Sequence, residues 1–231
     1  MWLIDSSIGK KVVMSITGLA LVFFITFHMA MNCAAMFSAD AYRAICEFLG
    51  ANWYAMVATI GLAILVLLHF VYAFWITLKN MKARGSQKYK VTARPKGVEF
   101  SSRNMLVLGI IVILGLSLHL INFWSKMQLV ELQGGIPADG VDLIRENFSH
   151  WYIVLVYLVW LGAIWFHLTH GFWSAIQTLG ISGKVWFKRW KWISYIIVTL
   201  IMLGFAGMML LFFCAEGLGW KILPAIFGGI A

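Results

Sequence analysis

Residues 12–32 read VVMSITGLALVFFITFHMAMN, an apolar run that contains no Asp, Glu, Lys or Arg. A helix needs about 20 apolar residues to cross the hydrocarbon core of a bilayer, so this run is long enough to span it. Lys10 and Lys11 precede the run, as they would in a signal peptide, but it is longer than a typical signal-peptide core and lacks a small-x-small cleavage site. We therefore interpret it as a retained first transmembrane helix.

Four further runs of the same kind follow. The five runs lie near 12–36, 53–78, 104–125, 150–178 and 193–214, and none of them contains an acidic or basic residue other than histidine. The chain of 231 residues is 62% hydrophobic and 12% charged, with a mean hydropathy of +0.87, which is typical of an integral membrane protein. We predict an all-α membrane protein in which residues 1–231 form one domain, a bundle of five transmembrane helices.

The sequence lacks the common cysteine motifs and nucleotide-binding motifs. Its three cysteines, Cys33, Cys46 and Cys214, form no CxxC, CxxCH or zinc-ligand spacing, so they are interpreted as small buried residues. The sequence also contains no GxGxxG or GxxxxGK[ST], which indicates that the chain has no nucleotide or flavin fold of its own.

The basic residues predict the orientation in the membrane. The N-terminal tail, the 79–103 loop and the 180–192 loop hold 14 of the 18 Lys and Arg residues, whereas the opposite side holds seven of the nine acids. By the positive-inside rule the N-terminus is cytoplasmic and the C-terminus is outside. The net charge of +9 therefore indicates contact with anionic lipid headgroups or an acidic cytoplasmic partner, not with nucleic acid. The 79–103 loop is large enough to form a docking surface.

Two histidines are predicted to lie at one depth near the outer face. His28 comes 17 residues after Lys11 and His119 comes 16 residues after Arg103. At about 1.5 Å per helical residue, both lie roughly 25 Å from the cytoplasmic charges. Since both helices run outward, these side chains share a level.

A second pair is predicted nearer the cytoplasm. His69 lies 10 residues before Lys79, and His170 lies 10 residues before Gly180, where its helix is expected to stop. Both are roughly 15 Å deep. His167 competes with His170, because it matches His69 when depth is counted from the outer tryptophans; depth alone leaves the choice open.

Two imidazoles at one depth on different helices provide the axial ligands of a six-coordinate b-type haem. Two such haems at different depths would carry electrons between the membrane faces. A zinc or copper site would instead gather its ligands at one depth, and a proton or solute carrier normally holds a charged residue inside its spans. A purely structural bundle leaves the paired depths unexplained. Gly18, Gly115 and Gly171 would let a macrocycle approach the backbone.

Three stretches carry a family resemblance: SSIGKKVVMSITGL (6–19) with FHMAMN (27–32), SRNMLVLGIIVILGLSLHL (102–120) and HLTHGFWSAIQTLG (167–180). They resemble the di-haem cytochrome b membrane anchor of succinate:quinone oxidoreductases, of the single-anchor, five-helix type found in bacterial succinate dehydrogenases and menaquinol-linked fumarate reductases. The resemblance covers most of the chain. It also favours His170, beside Gly171, over His167 as the second ligand of the inner haem.

The resemblance implies two haems b in the bundle. His28 and His119 would bind the distal, outer haem, and His69 and His170 the proximal one. The chain would be the quinone-reactive subunit of an enzyme, taking electrons to or from menaquinone. It would anchor an iron–sulfur subunit and a flavoprotein subunit whose FAD performs the dicarboxylate chemistry of respiration and the tricarboxylic acid cycle. It would lie in the bacterial inner (cytoplasmic) membrane. The alternatives are a di-haem b anchor of a hydrogenase or formate dehydrogenase, or a non-redox membrane transporter.

The resemblance also suggests supporting residues. Ser15 matches a position that helps to hold a propionate of the distal haem, and Lys79, Ser102 and Arg103 are placed to hold those of the inner haem. Generic anchoring at the interface is the rival interpretation for these residues.

A carboxylate near the distal haem is expected to handle quinone protons. Glu47 is the first candidate, with surface charge as its rival interpretation, and His150 is the second. The sequence departs from some fumarate reductase anchors at Leu168, where they carry a Glu linked to proton transfer. His167, one turn before His170, is the candidate substitute for that Glu.

Overall fold

The computed structural model describes residues 6–50, 52–84 and 99–220, and every regular element in these ranges is helical. Eight α-helices follow one another: α1 (Ser7–Cys33), α2 (Ala39–Phe48), α3 (Trp53–Arg84), α4 (Phe100–His119), α5 (Gln128–Leu132), α6 (Gly140–Phe148), α7 (Trp151–Thr178) and α8 (Trp186–Phe212). A 3₁₀ turn (Ala34–Met36) follows α1, and π-helical turns extend α4 (Leu120–Trp124) and α8 (Phe213–Gly217).

Five of these helices are long and apolar enough to cross a membrane, which confirms the predicted multi-pass membrane protein. The spans are Ile8–Met36, Trp53–Ala83, Phe100–Trp124, Trp151–Thr178 and Trp186–Gly217. Large apolar side chains remain exposed on their outer surfaces, for example Phe23, Leu114 and Ile196. Lipid covers such surfaces in a membrane helix, so their exposure is expected.

The fifth span begins earlier than the hydropathy indicates. The predicted span starts at residue 193, but α8 starts at Trp186, so Lys188, Arg189 and Lys191 belong to its first turns rather than to a loop. A helix need not end where the hydrocarbon does, because interfacial Trp, Lys and Arg side chains reach the headgroups. Most of the predicted docking loop (85–98) lies outside the described residues.

Helix α7 is the centre of the bundle, and α1, α4 and α8 all pack against it. Its contact with α8 forms a core of Ile164, Leu168, Val198, Ile201 and Met202. Helix α3 packs mainly against α1. This arrangement places one histidine-bearing face of each of α1, α3, α4 and α7 toward the interior.

One end of the bundle is closed by the short helices α2, α5 and α6, and is called the capped end below. Val141, Ile144 and Phe148 of α6 are buried against Tyr157 and Phe212. Arg43 of α2 donates through Nε to Asp139 Oδ2 at 2.6 Å, which links α2 to the start of α6. Burial alone would raise the pKa of Asp139, but hydrogen bonds from Arg43 and from two backbone N–H groups outweigh it and lower that pKa.

Two histidine pairs as the candidate functional site

The first pair consists of His28 on α1 and His119, the last residue of α4. Their ring centroids are 5.7 Å apart and their planes are 84° to one another. Aromatic rings surround the pair: Phe24 and Phe205 pack beside His28, and Trp160 and Phe123 beside His119. The sequence predicted that these two histidines share a level, and the structure brings them together.

A hydrogen-bonded chain leads from His28 to the capped end. Asn32 donates through Nδ2 to the backbone oxygen of His28 at 2.8 Å, and Tyr42 of α2 donates its hydroxyl to Asn32 Oδ1 at 3.0 Å. Burial, together with Cys46 and Asp139 nearby, raises the pKa of Tyr42, so its phenol stays protonated and remains a donor. The cap is therefore tied to the first pair.

The backbone changes its winding directly after His119. Residues Leu120–Trp124 form a π-helical turn, a feature frequent at functional sites. Asn122 in this turn donates through Nδ2 to the hydroxyl of Tyr157 at 3.2 Å. The π turn thus fixes the end of α4 against α7 at the level of the first pair.

The second pair consists of His69 on α3 and His167 on α7. Their ring centroids are 6.3 Å apart and their planes are 69° to one another. Glycines from two other helices lie beside these rings. A Cβ at Gly18 of α1 would come within 3.3 Å of His69 Cε1, and one at Gly109 of α4 would lie 4.0 Å from His167 Cε1.

His170, the predicted partner of His69, faces elsewhere. Its Nδ1 lies 3.5 Å from Oε2 of Glu99, and its ring packs on Trp173. Lys191 of α8 forms an ion pair with the same carboxylate. The expectation that His69 and His170 face one another is therefore corrected: His167 takes that place, because a shift of three residues turns a side chain by about 60° around the helix.

Along each of three helices, the residues beside the first pair and those beside the second pair are separated by the same number of residues. Gly18, beside His69, lies 10 residues before His28, and Gly109, beside His167, lies 10 residues before His119. On α7, Tyr157 packs near His119 and lies 10 residues before His167. At about 1.5 Å per residue the pairs are separated by roughly 15 Å along the bundle.

The centroid separations of both pairs match ordinary T-shaped ring packing and also the spacing of two imidazoles that hold one metal. Metal–imidazole bonds of about 2 Å on either side of an iron put the ring centroids about 6 Å apart, since each centroid lies roughly 1 Å behind its nitrogen. The observed 5.7 and 6.3 Å bracket this value. Within the described ranges, no three His, Cys, Asp or Glu residues lie together as a metal-binding group; a haem needs only two protein ligands, because the porphyrin supplies four nitrogens.

The other predicted site residues lie farther from the pairs. Ser15 is buried but lies one turn from Gly18, at the level of the second pair. Its assignment to the distal haem is therefore corrected, because it is 13 residues, roughly 20 Å, from His28. Lys79, Ser102 and Arg103 are exposed near the end opposite the cap. Their predicted contact with propionates stays a prediction.

The acidic and imidazole candidates at the capped end are both exposed. Glu47 lies on the outer surface of α2, and His150 precedes α7 and stacks on Tyr152. Leu168, the chain neighbour of His167, is buried in the contact between α7 and α8.

Sequence reasoning missed three polar residues beside the pairs: Thr17, Asn32 and Tyr42. Thr17 and Asn32 had a detectable signal, because they lie 11 and 4 residues from His28 and so share its face of α1. Tyr42 lies on another helix and had no such signal.

Comparison of the chain with protein-family models, curated proteins and solved structures finds no match.

Proposed function

We propose that this chain is a di-haem cytochrome b that carries electrons across or within a membrane. The observation that supports it best is the presence of two imidazole pairs with crossed ring planes. The rings of each pair are spaced for one iron, and the two pairs are separated by roughly 15 Å along the bundle. Low-spin haem held by two histidines would supply a one-electron carrier without an open coordination position.

The chain's own residues define two binding sites. His28 and His119 would hold the outer haem near the capped end, and His69 and His167 would hold the inner one. Burial among aromatic rings excludes water from the first pair, and Gly18 and Gly109 leave space beside the second pair. His167 Nδ1 is buried without a hydrogen-bond partner, as is His170 Nδ1, so the choice of His167 rests on its position opposite His69.

The specific assignment is the membrane anchor of a succinate dehydrogenase or fumarate reductase. It is supported by the resemblance of residues 6–32, 102–120 and 167–180 to that family. In this proposal an iron–sulfur subunit docks at the end opposite the cap, where the basic residues cluster, and menaquinone binds at the capped end. A flavoprotein subunit holds FAD. The cap faces outward from the bacterial inner membrane, with the N-terminus in the cytoplasm.

The anchor of another respiratory complex, such as a hydrogenase or formate dehydrogenase, is the second candidate, because the same two pairs would serve it. A non-redox transporter is a third. It is disfavoured because Asp, Glu, Lys and Arg are missing from the centres of all five spans.

Spectroscopy of the purified complex tests the proposal. Dithionite-reduced minus ferricyanide-oxidised spectra should show a b-type α-band, and haem extraction should give two haems per chain. Absence of the band would overturn the cytochrome. A copurifying subunit with covalent flavin would distinguish the succinate dehydrogenase or fumarate reductase anchor from the other respiratory anchors.

A further inference from the structure

The hydroxyl of Thr17 lies between α1 and the ring of His69. Its side chain is only 4% exposed, and its Oγ1 is 3.1 Å from His69 Nδ1. The same hydroxyl is 2.8 Å from the backbone oxygen of Val13, one turn earlier on α1, and 3.2 Å from that of Met14. Thr17 therefore joins two acceptors of its own helix to an imidazole of another helix.

The number of available protons determines the direction of these hydrogen bonds. A threonine hydroxyl has one proton to donate and lone pairs with which to accept. The shortest contact is to Val13, whose carbonyl oxygen can only accept. If the hydroxyl proton goes there, the remaining contact requires that His69 Nδ1 carries a proton and donates it to Thr17. A neutral imidazole protonated on Nδ1 has its free lone pair on Nε2.

The surroundings of Gly18 show which edge of the His69 ring packs against α1. An added Cβ at Gly18 would lie 3.3 Å from His69 Cε1 and 3.8 Å from Nδ1. The Nδ1–Cε1 edge of the imidazole is thus the one that packs against α1. Nε2 lies more than 4 Å from the added Cβ, and the ring of His167 is the imidazole partner of His69.

We propose that Thr17 is a positioning residue that holds His69 as the Nδ1–H tautomer and so makes Nε2 its metal-binding atom. This inference rests on the proposed haem at the second pair. Within the described residues, the contact between Thr17 Oγ1 and His69 Nδ1 is the one hydrogen bond that joins an imidazole nitrogen of the two pairs to a group able to accept a proton. The ring nitrogens of His28 meet the Asn32 Nδ2 amide, a donor 3.4 Å from Nδ1 and 3.5 Å from Nε2, and His167 Nδ1 has no hydrogen-bond partner.

An acceptor on Nδ1–H has a measurable effect on a bound metal. It raises the basicity of the ligand and fixes the orientation of the ring. A more basic imidazole stabilises the oxidised, more positively charged iron, so Thr17 lowers the reduction potential of the inner haem. Removal of the acceptor should shift that potential upward and leave the outer haem, roughly 15 Å away, unchanged.

Thr17→Val and Thr17→Ser variants of the intact complex test this. Valine keeps the shape without the hydroxyl, whereas serine keeps the hydroxyl without the methyl. Redox potentiometry should show a positive shift of one haem in Thr17→Val, or loss of the inner haem alone, with wild-type behaviour in Thr17→Ser. The low-spin electron paramagnetic resonance signal of that haem should change only in the valine variant.

Two results would overturn the role of Thr17. One is an inner-haem potential and spectrum in Thr17→Val identical to those of the wild type. The other is the same change in both variants, since packing of the methyl group would then be the cause. An absence of haem from the wild-type complex would instead overturn the proposed function, so the two failures are distinguishable.

Discussion

The Nδ1 atom of His170 lies 3.5 Å from the Oε2 atom of Glu99, on the side of α7 that faces the start of α4 and the start of α8. His167, one turn away, faces α3 instead, with its ring centroid 6.3 Å from that of His69. The two histidines of one helical turn therefore have different surroundings. His170 belongs to a charged cluster at the end of the bundle, and His167 to the interior.

Replacement of the two histidines should separate these roles. We expect His167→Ala to remove the inner haem, because His69 would have no opposing imidazole, and so to lower the haem content from two per chain to one. His170→Ala should keep both haems, because its ring faces Glu99. Pyridine haemochrome spectra of the purified complexes give the content directly. Loss of the inner haem from the His170 variant alone would restore the prediction made from the sequence.

Replacement of a histidine in the first pair should leave the haem at the second pair in place. His28→Ala and His119→Ala each remove one imidazole of a pair whose rings are 5.7 Å apart, so each should lose the outer haem and keep the inner one. Potentiometric titration should then show one transition instead of two. Loss of both haems from either variant, with the complex still assembled, would contradict separate sites.

Gly115 of α4 lies directly against the side chain of Trp160 on α7. A Cβ there would lie 2.1 Å from Cδ1 of Trp160, whose indole nitrogen donates to the backbone oxygen of Val112 at 3.0 Å. Trp160 also packs against His119. Gly115→Ala should therefore lower the free energy of unfolding by about 1–3 kcal/mol and perturb the spectrum of the outer haem.

Gly162→Ala is the matched control for this substitution, because a Cβ at Gly162 of α7 meets nothing within 4 Å. Its stability should match that of the wild type or exceed it by up to about 1 kcal/mol, because alanine has a higher helix propensity than glycine. Thermal unfolding in detergent, followed by tryptophan fluorescence, measures both variants. Equal stability of the Gly115 variant and the control would mean that Trp160 relaxes at no cost.

The sequence contains enough information for the spans and for the depth of the histidines. Apolar runs without charges predict transmembrane helices from length alone, and counting residues along a helix gives depth at about 1.5 Å per residue. For this reason the sequence predicted that His28 and His119 lie together, as they do; their binding of a haem stays a prediction. Their neighbours along the chain offered no competing imidazole of similar depth.

Depth does not determine the direction of a side chain, so it left His167 and His170 undecided, and His170 was preferred because of the resemblance and the neighbouring Gly171. The direction of each ring depends on how α7 is rotated against α1, α3 and α4, which follows from close packing at residues such as Gly109 and Gly18. The same limit explains Ser15, which was assigned by resemblance and not by its level. Gly171, used to favour His170, meets nothing within 4 Å.

The ion pair of Glu99 should make stability depend on pH. Burial alone would raise the pKa of Glu99, but the hydrogen bonds and charges of Lys191 and His170 outweigh it and lower that pKa. A carboxylate whose pKa is lowered by folding stabilises the folded protein above its unfolded pKa of about 4.3, and this contribution is lost as the pH falls through the folded value. Glu99→Gln should therefore cost about 1 kcal/mol at pH 7 and progressively less below about pH 5.

Thermal unfolding of the two proteins between pH 7 and pH 4 measures that difference. Lys188→Ala is the control, because Lys188 is exposed and lines the same surface as Glu99 but has no carboxylate partner among the described ion pairs. Its unfolding should follow the wild type at every pH. A difference between Glu99→Gln and the wild type that stays constant down to pH 4 would mean that packing of the side chain, rather than its charge, joins the start of α4 to α7 and α8.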